Sequence, residues 1–321
     1  MSVKLSIALC TYNGEQYLPE LLESLLSQTR QPDELVICDD QSSDATQDII
    51  EAFKKRCHFL IKWHRNESRL NSTLNFANAI SLCNGQYIAL CDQDDVWLPT
   101  KLEALTNALD NNPQAGFVIS DALVVGQQLQ PFGYTLWESL NFTSSEQQQF
   151  LIGNAFAKLL KRYRATGATM VFRASYRNLI LPIPPSWVHD AWIAQLLSAV
   201  SNVELITEPQ ILYRQHSSQQ IGQVKRNLYQ QYRIAKTIGK EQFQTLAQNF
   251  QLALDRLSSI TDYEIQPQDL KRLETKISHA QKRTDMRDSS FRLPLIMHEL
   301  AAGNYSRYSL GWKSVLQDLF L

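Results

Sequence analysis

Paired cysteines are missing from this sequence. It contains five cysteines, an odd number, and none of them form a C-x-x-C pair, so the pattern favours free thiols over disulfides. Three of the five, Cys10, Cys38 and Cys91, end apolar runs that are typical of buried strands. We therefore expect buried, reduced thiols, as in proteins of a reducing cytosol.

Charge of one sign and long apolar runs are missing as well. The formal net charge is -1, so no basic field predicts a nucleic-acid partner. No apolar run reaches the roughly 18 residues that are needed to cross a bilayer. Strand-like sequence begins at Lys4, which leaves no room for a signal peptide. We expect a cytoplasmic protein.

The first 120 residues alternate between strand and helix patterns. Short apolar runs predict buried strands, and apolar residues spaced three or four apart predict helices. The predicted strands cover residues 5–10, 35–38, 59–63, 87–91 and 117–120, and the predicted helices cover residues 18–26, 44–53, 74–82 and 101–109. This alternation predicts an α/β fold, with a mostly parallel sheet and helices on both faces.

The pattern changes towards the end of the chain. It weakens between residues 125 and 165, and then predicts a strand at 168–172, a helix at 187–200 and short strands at 203–206 and 211–213. After residue 223, glycine and strand patterns nearly vanish, and helices are predicted at 228–257, 270–283 and 309–321. We therefore expect two domains, an α/β domain at residues 1–222 and a helical region at residues 223–321.

Acidic residues follow two of the predicted strands at the point where each strand ends. Asp39 and Asp40 follow the second strand, and Asp92-Gln93-Asp94-Asp95 follows the fourth. In open parallel sheets, ligands bind beyond the carboxyl ends of the strands. Carboxylates there suit a hard cation such as Mg²⁺ or Mn²⁺, held together with substrate phosphates. The alternative is that these residues form turns and cap the helices that follow.

Two further segments contain residues that are suited to chemistry. His189-Asp190 precedes an apolar helix, where the carboxylate has the chemistry of a general base or of a helix cap. His216 follows a predicted strand and is suited to a metal or phosphate site or to a structural role. The sequence alone leaves both alternatives open.

The motifs, taken in order along the chain, resemble family 2 glycosyltransferases of the GT-A fold. The resemblance spans about residues 3 to 220. It rests on Thr11-Tyr12-Asn13, Ser27-Gln28-Thr29, Asp39-Asp40, Ser43-Asp44-Ala45-Thr46 and Asp92-Gln93-Asp94-Asp95. The extended motif Asp92-Gln93-Asp94-Asp95-Val96-Trp97, with His189-Asp190-Ala191-Trp192 and Tyr213-Arg214-Gln215-His216, looks like that of bacterial rhamnosyltransferase-type members.

The resemblance implies a role for each matching residue. Asp190 matches the general base, and Asp92, Asp94 and His216 match the side of the site that holds Mn²⁺ or Mg²⁺. The implied substrate-binding residues are Thr11, Asn13, Glu15, Asp39, Asp40, Asp92, Gly167, Ala168, His189, Arg214 and His216. Two positions depart from the wider family: His189 stands where Glu is usual, and Gln41 stands where Gly or Asn is commoner.

The implied activity is transfer of a sugar, with inversion, from a nucleotide-diphosphate donor to a hydroxyl group. The subgroup favours L-rhamnose from dTDP-rhamnose, and a UDP-hexose is the alternative donor. The implied acceptor is a saccharide or a lipid-linked glycan in cell-surface polysaccharide synthesis.

Two other classes of protein fit the sequence less well. A sugar-nucleotide nucleotidyltransferase needs a glycine-rich phosphate loop with a basic residue, but Thr11-Tyr12-Asn13-Gly14-Glu15 has one glycine and no Lys or Arg. A non-catalytic sugar-nucleotide-binding protein would have no need of both Asp94 and Asp190.

The helical region after residue 223 has two interpretations. Basic residues such as Arg233, Lys282 and Arg292 alternate with apolar ones, which is compatible with peripheral contact to the inner face of the plasma membrane. The other interpretation is a helical subdomain that packs against the α/β domain or against a second copy in a homodimer.

Overall fold

One mixed sheet forms the centre of the molecule. The structure is a computed structural model that describes residues 4–216, 219, 233, 236–289 and 291–320. The strands are β1 (Leu5–Thr11), β2 (Glu34–Asp39), β3 (Leu60–Arg65), β4 (Tyr87–Asp92), β5 (Val96–Trp97), β6 (Ala115–Val125), β7 (Pro131–Thr135), β8 (Met170–Arg173) and β9 (Asn202–Arg214). Their order is β3-β2-β1-β4-β8-β6-β9-β5, with β7 beside β6. The predicted α/β architecture is confirmed.

The first half of the sheet is parallel, as the sequence predicts. β1 pairs in parallel with both β2 and β4, and β3 pairs in parallel with β2. The register places Thr11 opposite Asp39, and Cys10 opposite Asp92. The loops that follow β1, β2 and β4 therefore leave the sheet at the same edge.

The second half of the sheet combines both directions. β8 pairs antiparallel with β4 and β6, and β5 pairs antiparallel with β9, whereas β6 and β9 are parallel. The two short strands predicted at 203–206 and 211–213 are one strand, β9. Its register shifts near Pro209, where the missing amide hydrogen interrupts the ladder.

Helices cover both faces of the sheet. They are α1 (Leu18–Leu26), α2 (Thr46–Lys54), α3 (Asn71–Leu82), α4 (Lys101–Asn111), α5 (Leu136–Leu140), α6 (Ser144–Gln149), α7 (Ala155–Leu159), α8 (Arg177–Ile180) and α9 (His189–Val200). Alternate residues of β1 point to opposite faces: Ile7 packs in the core with α1, α2 and α4, and Ala8 in the core with α3 and α9. Burial on both faces explains the continuous apolar sequence of this strand.

The C-terminal helices pack on this framework. They are α10 (Lys240–Ser259), α11 (Pro267–Asp288), α12 (Leu293–Ala301), α13 (Asn304–Tyr308) and α14 (Trp312–Phe320). Phe250 of α10 and Ile277 of α11 belong to the same core as α9, and Trp187 Nε1 donates a hydrogen bond to Asn249 O at 2.9 Å. The predicted boundary near residue 222 and most of the predicted helix before residue 240 lie outside the described residues.

The sequence predicts buried free thiols and no segment that crosses a membrane. All five cysteines are free, and four of them are buried, as predicted. None of the described helices is long and apolar enough to cross a membrane.

Candidate active site

The loop after β1 is hydrogen-bonded to the loop after β2. Thr11 Oγ1 donates to Asp39 Oδ1 at 2.9 Å, and Ser42 N donates to Asp39 Oδ2 at 2.9 Å. Asn13 adopts a left-handed backbone with φ of 46°, and its Oδ1 accepts a hydrogen bond from Ser43 N at 2.9 Å. Asp39 is therefore a buried anchor that positions both loops.

Glu15 extends this connection to the start of α2. Its Oε2 atom accepts a hydrogen bond from Ala45 N at 3.1 Å, and its own amide donates to Asp44 Oδ2 at 2.9 Å. Both carboxylates thus lie near the positive end of the α2 dipole. The predicted helix that starts at Asp44 begins two residues later, at Thr46.

The Asp40 carboxylate holds the start of α3. Its Oδ1 atom accepts hydrogen bonds from Asn66 Nδ2 at 3.0 Å and Leu70 N at 2.6 Å, and its Oδ2 atom accepts one from Asn71 N at 2.9 Å. Asp40 is only 3% exposed. The neighbouring Arg69 guanidinium lies 3.8 Å from the centroid of the Tyr12 ring. A flat cationic and aromatic surface therefore lies beside Asp40.

Gln93 connects the loop after β4 to the loop after β1. Its side-chain amide makes two hydrogen bonds to the backbone of Tyr12: Oε1 accepts from the amide at 2.8 Å, and Nε2 donates to the carbonyl at 3.0 Å. The middle residue of the D-x-D element therefore fixes the loop. The sequence pattern alone predicts no role for Gln93.

The aspartates after β4 do not cap α4. The N-cap residue of α4 is Thr100, and no side chain caps it. Asp95 Oδ1 instead accepts a hydrogen bond from Arg214 N at 2.9 Å, and the Asp94 carbonyl accepts one from Arg214 Nε at 2.7 Å. Arg214 is buried, and its guanidinium also donates to Gln127 O and Glu20 Oε2. Arg214 thus joins β9 to the acidic loop.

His216 lies against Asp94. The Nε2 atom of His216 is 2.8 Å from Asp94 Oδ2, and its ring lies 4.7 Å from the ring of Tyr17. Because β9 ends at Arg214, two residues earlier, it is this strand that delivers the imidazole to the acidic loop.

Negative charge is concentrated around the loop after β4. Burial, together with the charges of Asp94 and Asp190, raises the pKa of Asp92 to about 8. Burial and the charges of Asp94 and Asp92 raise the pKa of Asp95 well above its usual range. The buried Oδ2 atom of Asp95 has no hydrogen-bond partner among the described residues. Asp190 therefore lies within electrostatic reach of the D-x-D element, although it comes from another part of the chain.

Asp190 is buried in the first turn of α9, where it accepts a hydrogen bond from the backbone of a neighbouring segment. Its Oδ2 atom accepts from Gly167 N at 2.8 Å, and its Oδ1 atom accepts from Ala191 N at 2.8 Å. The N-cap residue of α9 is Val188, so Asp190 is not the cap. Among the described residues, no cation pairs with the Asp190 carboxylate, which is oriented by backbone amides.

His189 precedes Asp190 and is also buried. Its ring stacks on Phe76 with centroids 3.9 Å apart, and neither ring nitrogen has a hydrogen-bond partner among the described residues. Burial lowers the pKa of His189, which favours the neutral imidazole. A Cβ atom on Gly167 would lie 2.9 Å from His189 Nε2. Only a glycine therefore fits between the two segments without a shift.

A buried lysine, Lys101, is hydrogen-bonded to the segment that contains Gly167 and Ala168. Lys101 Nζ donates to the Ala168 carbonyl at 2.7 Å and lies 3.2 Å from the centroid of the Trp97 ring. Burial lowers the pKa of Lys101 to about 7, against the opposing charges of Cys91, Asp95 and Asp92. From the sequence, Lys101 is predicted only to begin a helix. Its complete burial depends on the tertiary fold and was not predictable.

The donor set suits a divalent cation whose coordination the substrate completes. Carboxylate oxygens are ordinary ligands of Mg²⁺ and Mn²⁺. Within the described residues, no three His, Cys, Asp or Glu side chains are placed to hold a metal ion by themselves. This agrees with Mg²⁺ sites in which one or two carboxylates act together with phosphates and water.

The family model described as "Glycosyl transferase family 2" matches residues 6–179, which is more than half of the chain. The match includes the loops after β1, β2 and β4. It ends before Asp190, Arg214 and His216.

Two curated relatives match a smaller part of the chain. "Abequosyltransferase RfbV" of Salmonella typhimurium is 32% identical over 127 residues, which is 39% of this chain. An Escherichia coli protein named "UDP-Glc:alpha-D-GlcNAc-diphosphoundecaprenol beta-1,3-glucosyltransferase WfaP" is 37% identical over 98 residues, which is 30% of this chain. The chain spans only 38% of the length of each relative.

A solved structure matches nearly the whole chain. The mannosyltransferase PcManGT from Pyrobaculum calidifontis, in complex with GDP-Man and Mn²⁺, has a TM-score of 0.52 and 16% sequence identity. The likeness covers 99% of this chain and 86% of that one. At this identity the likeness shows the fold alone, and the predicted GT-A fold is confirmed.

Proposed function

The chain belongs to glycosyl transferase family 2, and from this premise we propose that it is an inverting glycosyltransferase. It moves a sugar from a nucleotide-diphosphate donor to a hydroxyl group of an acceptor. The observation that carries the proposal is the grouping of Asp92, Asp94 and Asp190. Their charges act on one another, and His216 lies against Asp94.

The donor site is proposed at the carboxyl ends of β1, β2 and β4. The loops there are hydrogen-bonded to one another through Asp39 and Gln93. Asn13, which is exposed on this edge, and the Tyr12–Arg69 pair offer polar and flat surfaces for a nucleotide. Aromatic and guanidinium planes of this kind stack on bases. Asp39 and Asp40 support the site by ordering its loops.

The diphosphate is proposed to lie beside Asp94 and His216. Asp94, with Asp92 and His216 near it, would hold a Mn²⁺ or Mg²⁺ ion whose coordination the diphosphate and water complete. Such an ion would neutralise the charge that develops on the departing nucleoside diphosphate. Without a counter-ion, the acidic side chains of the loop after β4 and the diphosphate would repel one another.

Asp190 is proposed as the general base. Its carboxylate is oriented by hydrogen bonds from Gly167 N and Ala191 N, and no Lys or Arg among the described residues forms an ion pair with it. It takes the proton of the acceptor hydroxyl while the oxygen attacks the anomeric carbon from the side opposite the diphosphate. A single displacement of this kind inverts the configuration.

The donor sugar and the acceptor are proposed from the sequence and from the relatives. dTDP-rhamnose is the first candidate donor, because the motifs after β4 and around Asp190 are similar to those of the rhamnosyltransferase-type subgroup. The name of WfaP, with UDP-Glc and a diphosphoundecaprenol-linked sugar, supports a UDP-hexose as the alternative. It also supports a lipid-linked glycan as acceptor, in a cytoplasmic step of cell-surface polysaccharide synthesis.

Release of nucleoside diphosphate tests this proposal. The purified chain is incubated with Mn²⁺ and dTDP-rhamnose, UDP-glucose or GDP-mannose, and the products are separated by chromatography. We expect slow hydrolysis of one donor, seen as released nucleoside diphosphate, and at least about 10²-fold less release with Asp190→Asn. The matched control, Asp48→Asn on the exposed side of α2, should keep full activity. No release from any donor in a wide panel would contradict the proposal, as would formation of nucleoside triphosphate on addition of pyrophosphate.

A further inference from the structure

The last two long helices bury one side and expose apolar residues on the other. Ile296 of α12 and Val315 of α14 form a small core with Met286 and Tyr305. On the outer side, Leu293 and Met297 of α12 are each 57% exposed. Trp312, Leu316 and Phe320 of α14 are 69%, 52% and 74% exposed.

These exposed residues recur every four positions, which places them in a stripe along each helix. Arg292 donates a hydrogen bond to the Leu319 carbonyl at 2.8 Å, so the start of α12 lies beside the end of α14. Phe291, next to Arg292, is 82% exposed. The C-terminal apolar face, as we call it, consists of Phe291, Leu293, Met297, Trp312, Leu316 and Phe320.

Within residues 291–320, the accessible charges have one sign. Residues 291–320 contain two acidic side chains, Glu299 and Asp318, and both are buried. Glu299 accepts hydrogen bonds from His279, Lys282 and Asn304. Asp318 forms a bidentate pair with Arg283 and accepts from the Tyr305 hydroxyl at 2.7 Å. The charged residues that remain accessible in this segment, such as Arg307 and Lys313, are basic.

We propose that the C-terminal apolar face docks on an anionic lipid surface. Apolar residues with a tryptophan beside basic residues match the boundary between acyl chains and anionic headgroups. A second copy of the chain fits less well, because a symmetric contact would bring the same basic residues together. The buried ion pairs of Glu299 and Asp318 keep the two helices in place, so the face is formed before it meets the lipid.

Vesicle sedimentation of the full chain tests this proposal. Vesicles of phosphatidylcholine alone are compared with vesicles that also contain phosphatidylglycerol. We expect binding to the anionic vesicles only, and weaker binding as salt is raised. The combined variant Trp312→Ser, Leu316→Ser and Phe320→Ser should weaken binding at least ~100-fold, from the apolar area that no longer enters the lipid. Lys313→Glu should weaken it about fivefold or more.

Matched controls use exposed residues elsewhere in the chain. Leu60→Ser and Phe132→Ser replace side chains that are 54% and 46% exposed. Lys55→Glu reverses an exposed charge directly after α2. All three variants should leave vesicle binding unchanged. Absence of binding to anionic vesicles would overturn the proposal, as would equal binding by the combined variant. A loss of dimers in that variant, measured by sedimentation velocity, would overturn it in favour of a self-interface. The assay needs no sugar donor, so its outcome is independent of the proposed enzymatic activity.

Discussion

His216 Nε2 lies 2.8 Å from Asp94 Oδ2, although the two residues are 122 positions apart in the chain. The Arg214 guanidinium donates to the backbone carbonyl of Asp94, and the Arg214 amide donates to the Asp95 carboxylate. The end of β9 is thereby fixed to the loop after β4. The acidic side of the site depends on this long-range connection as much as on the D-x-D element itself.

Asp190→Asn should lower the rate of sugar transfer by about 10²- to 10⁴-fold, the usual contribution of general base catalysis. The amide oxygen can still accept the hydrogen bond from Gly167 N, so the fold and the donor affinity should remain nearly unchanged. Steady-state kinetics and calorimetric titration of the donor measure the two effects. Loss of donor binding as well as transfer would contradict the proposed role.

Gly167→Ala should lower kcat by roughly tenfold or more, because a misplaced base loses much of its effect. The new methyl group would lie 2.9 Å from His189 Nε2 and 3.3 Å from Asp190 Cβ, and His189 is held by its stack on Phe76. Gly239→Ala is the matched control, since the nearest atom to its Cβ would be 3.4 Å away. Equal kcat values for the two variants would contradict the close fit described here.

Gln93→Glu should raise the KM for the donor more than it lowers kcat. A glutamate cannot donate to the Tyr12 carbonyl, and its charge adds to that of the neighbouring aspartates. Initial rates at varied donor concentration separate the two constants, and Gln47→Glu on the exposed side of α2 serves as control. An unchanged KM would mean that Gln93 does not position the donor loops.

Much of the site was predictable because strands that are buried on both faces leave strong signals in the sequence. β1, β2 and β4 appear as short apolar runs, and the polar residues after them fall at the carboxyl ends of a parallel sheet. This rule alone predicts that Asp39, Asp40 and the D-x-D element share one edge.

Other features depend on contacts that the sequence does not record. The antiparallel β8 has the same short apolar pattern as a parallel strand, so its direction was not predictable. Gln41 has a φ of 65°, a left-handed conformation that suits Gly or Asn better. This explains why Gly or Asn is commoner at this position. Gln41 Nε2 donates a hydrogen bond to the Glu67 carbonyl at 2.6 Å.

Lys276 should make the free energy of unfolding depend on pH. Its ammonium group is buried and donates to the Tyr308 carbonyl at 2.8 Å, and burial, with the charge of Arg283, lowers its pKa to about 7. Unfolded lysine has a pKa of about 10.4, so between these values the unfolded state binds more protons. Stability should therefore rise with pH over this window, by up to about 1.4 kcal/mol per pH unit, and be flat below it.

Lys276→Met tests this dependence by removing the titrating group. Urea unfolding of both proteins, measured at several pH values, gives the difference in slope. Lys55→Met, at an exposed position, should keep the slope of the original chain. Identical slopes for all three proteins would show that Lys276 keeps an ordinary pKa in the folded state.

The proposed role of Mn²⁺ in donor binding can be measured by calorimetric titration of the donor with and without the ion. Asp94→Asn is compared with the unchanged chain, and Asp48→Asn at an exposed position of α2 is the control. We expect a nucleotide-diphosphate sugar to bind tightly only with Mn²⁺, and Asp94→Asn to remove the effect of the ion. Equal donor affinity in the presence and absence of Mn²⁺, for both proteins, would contradict it.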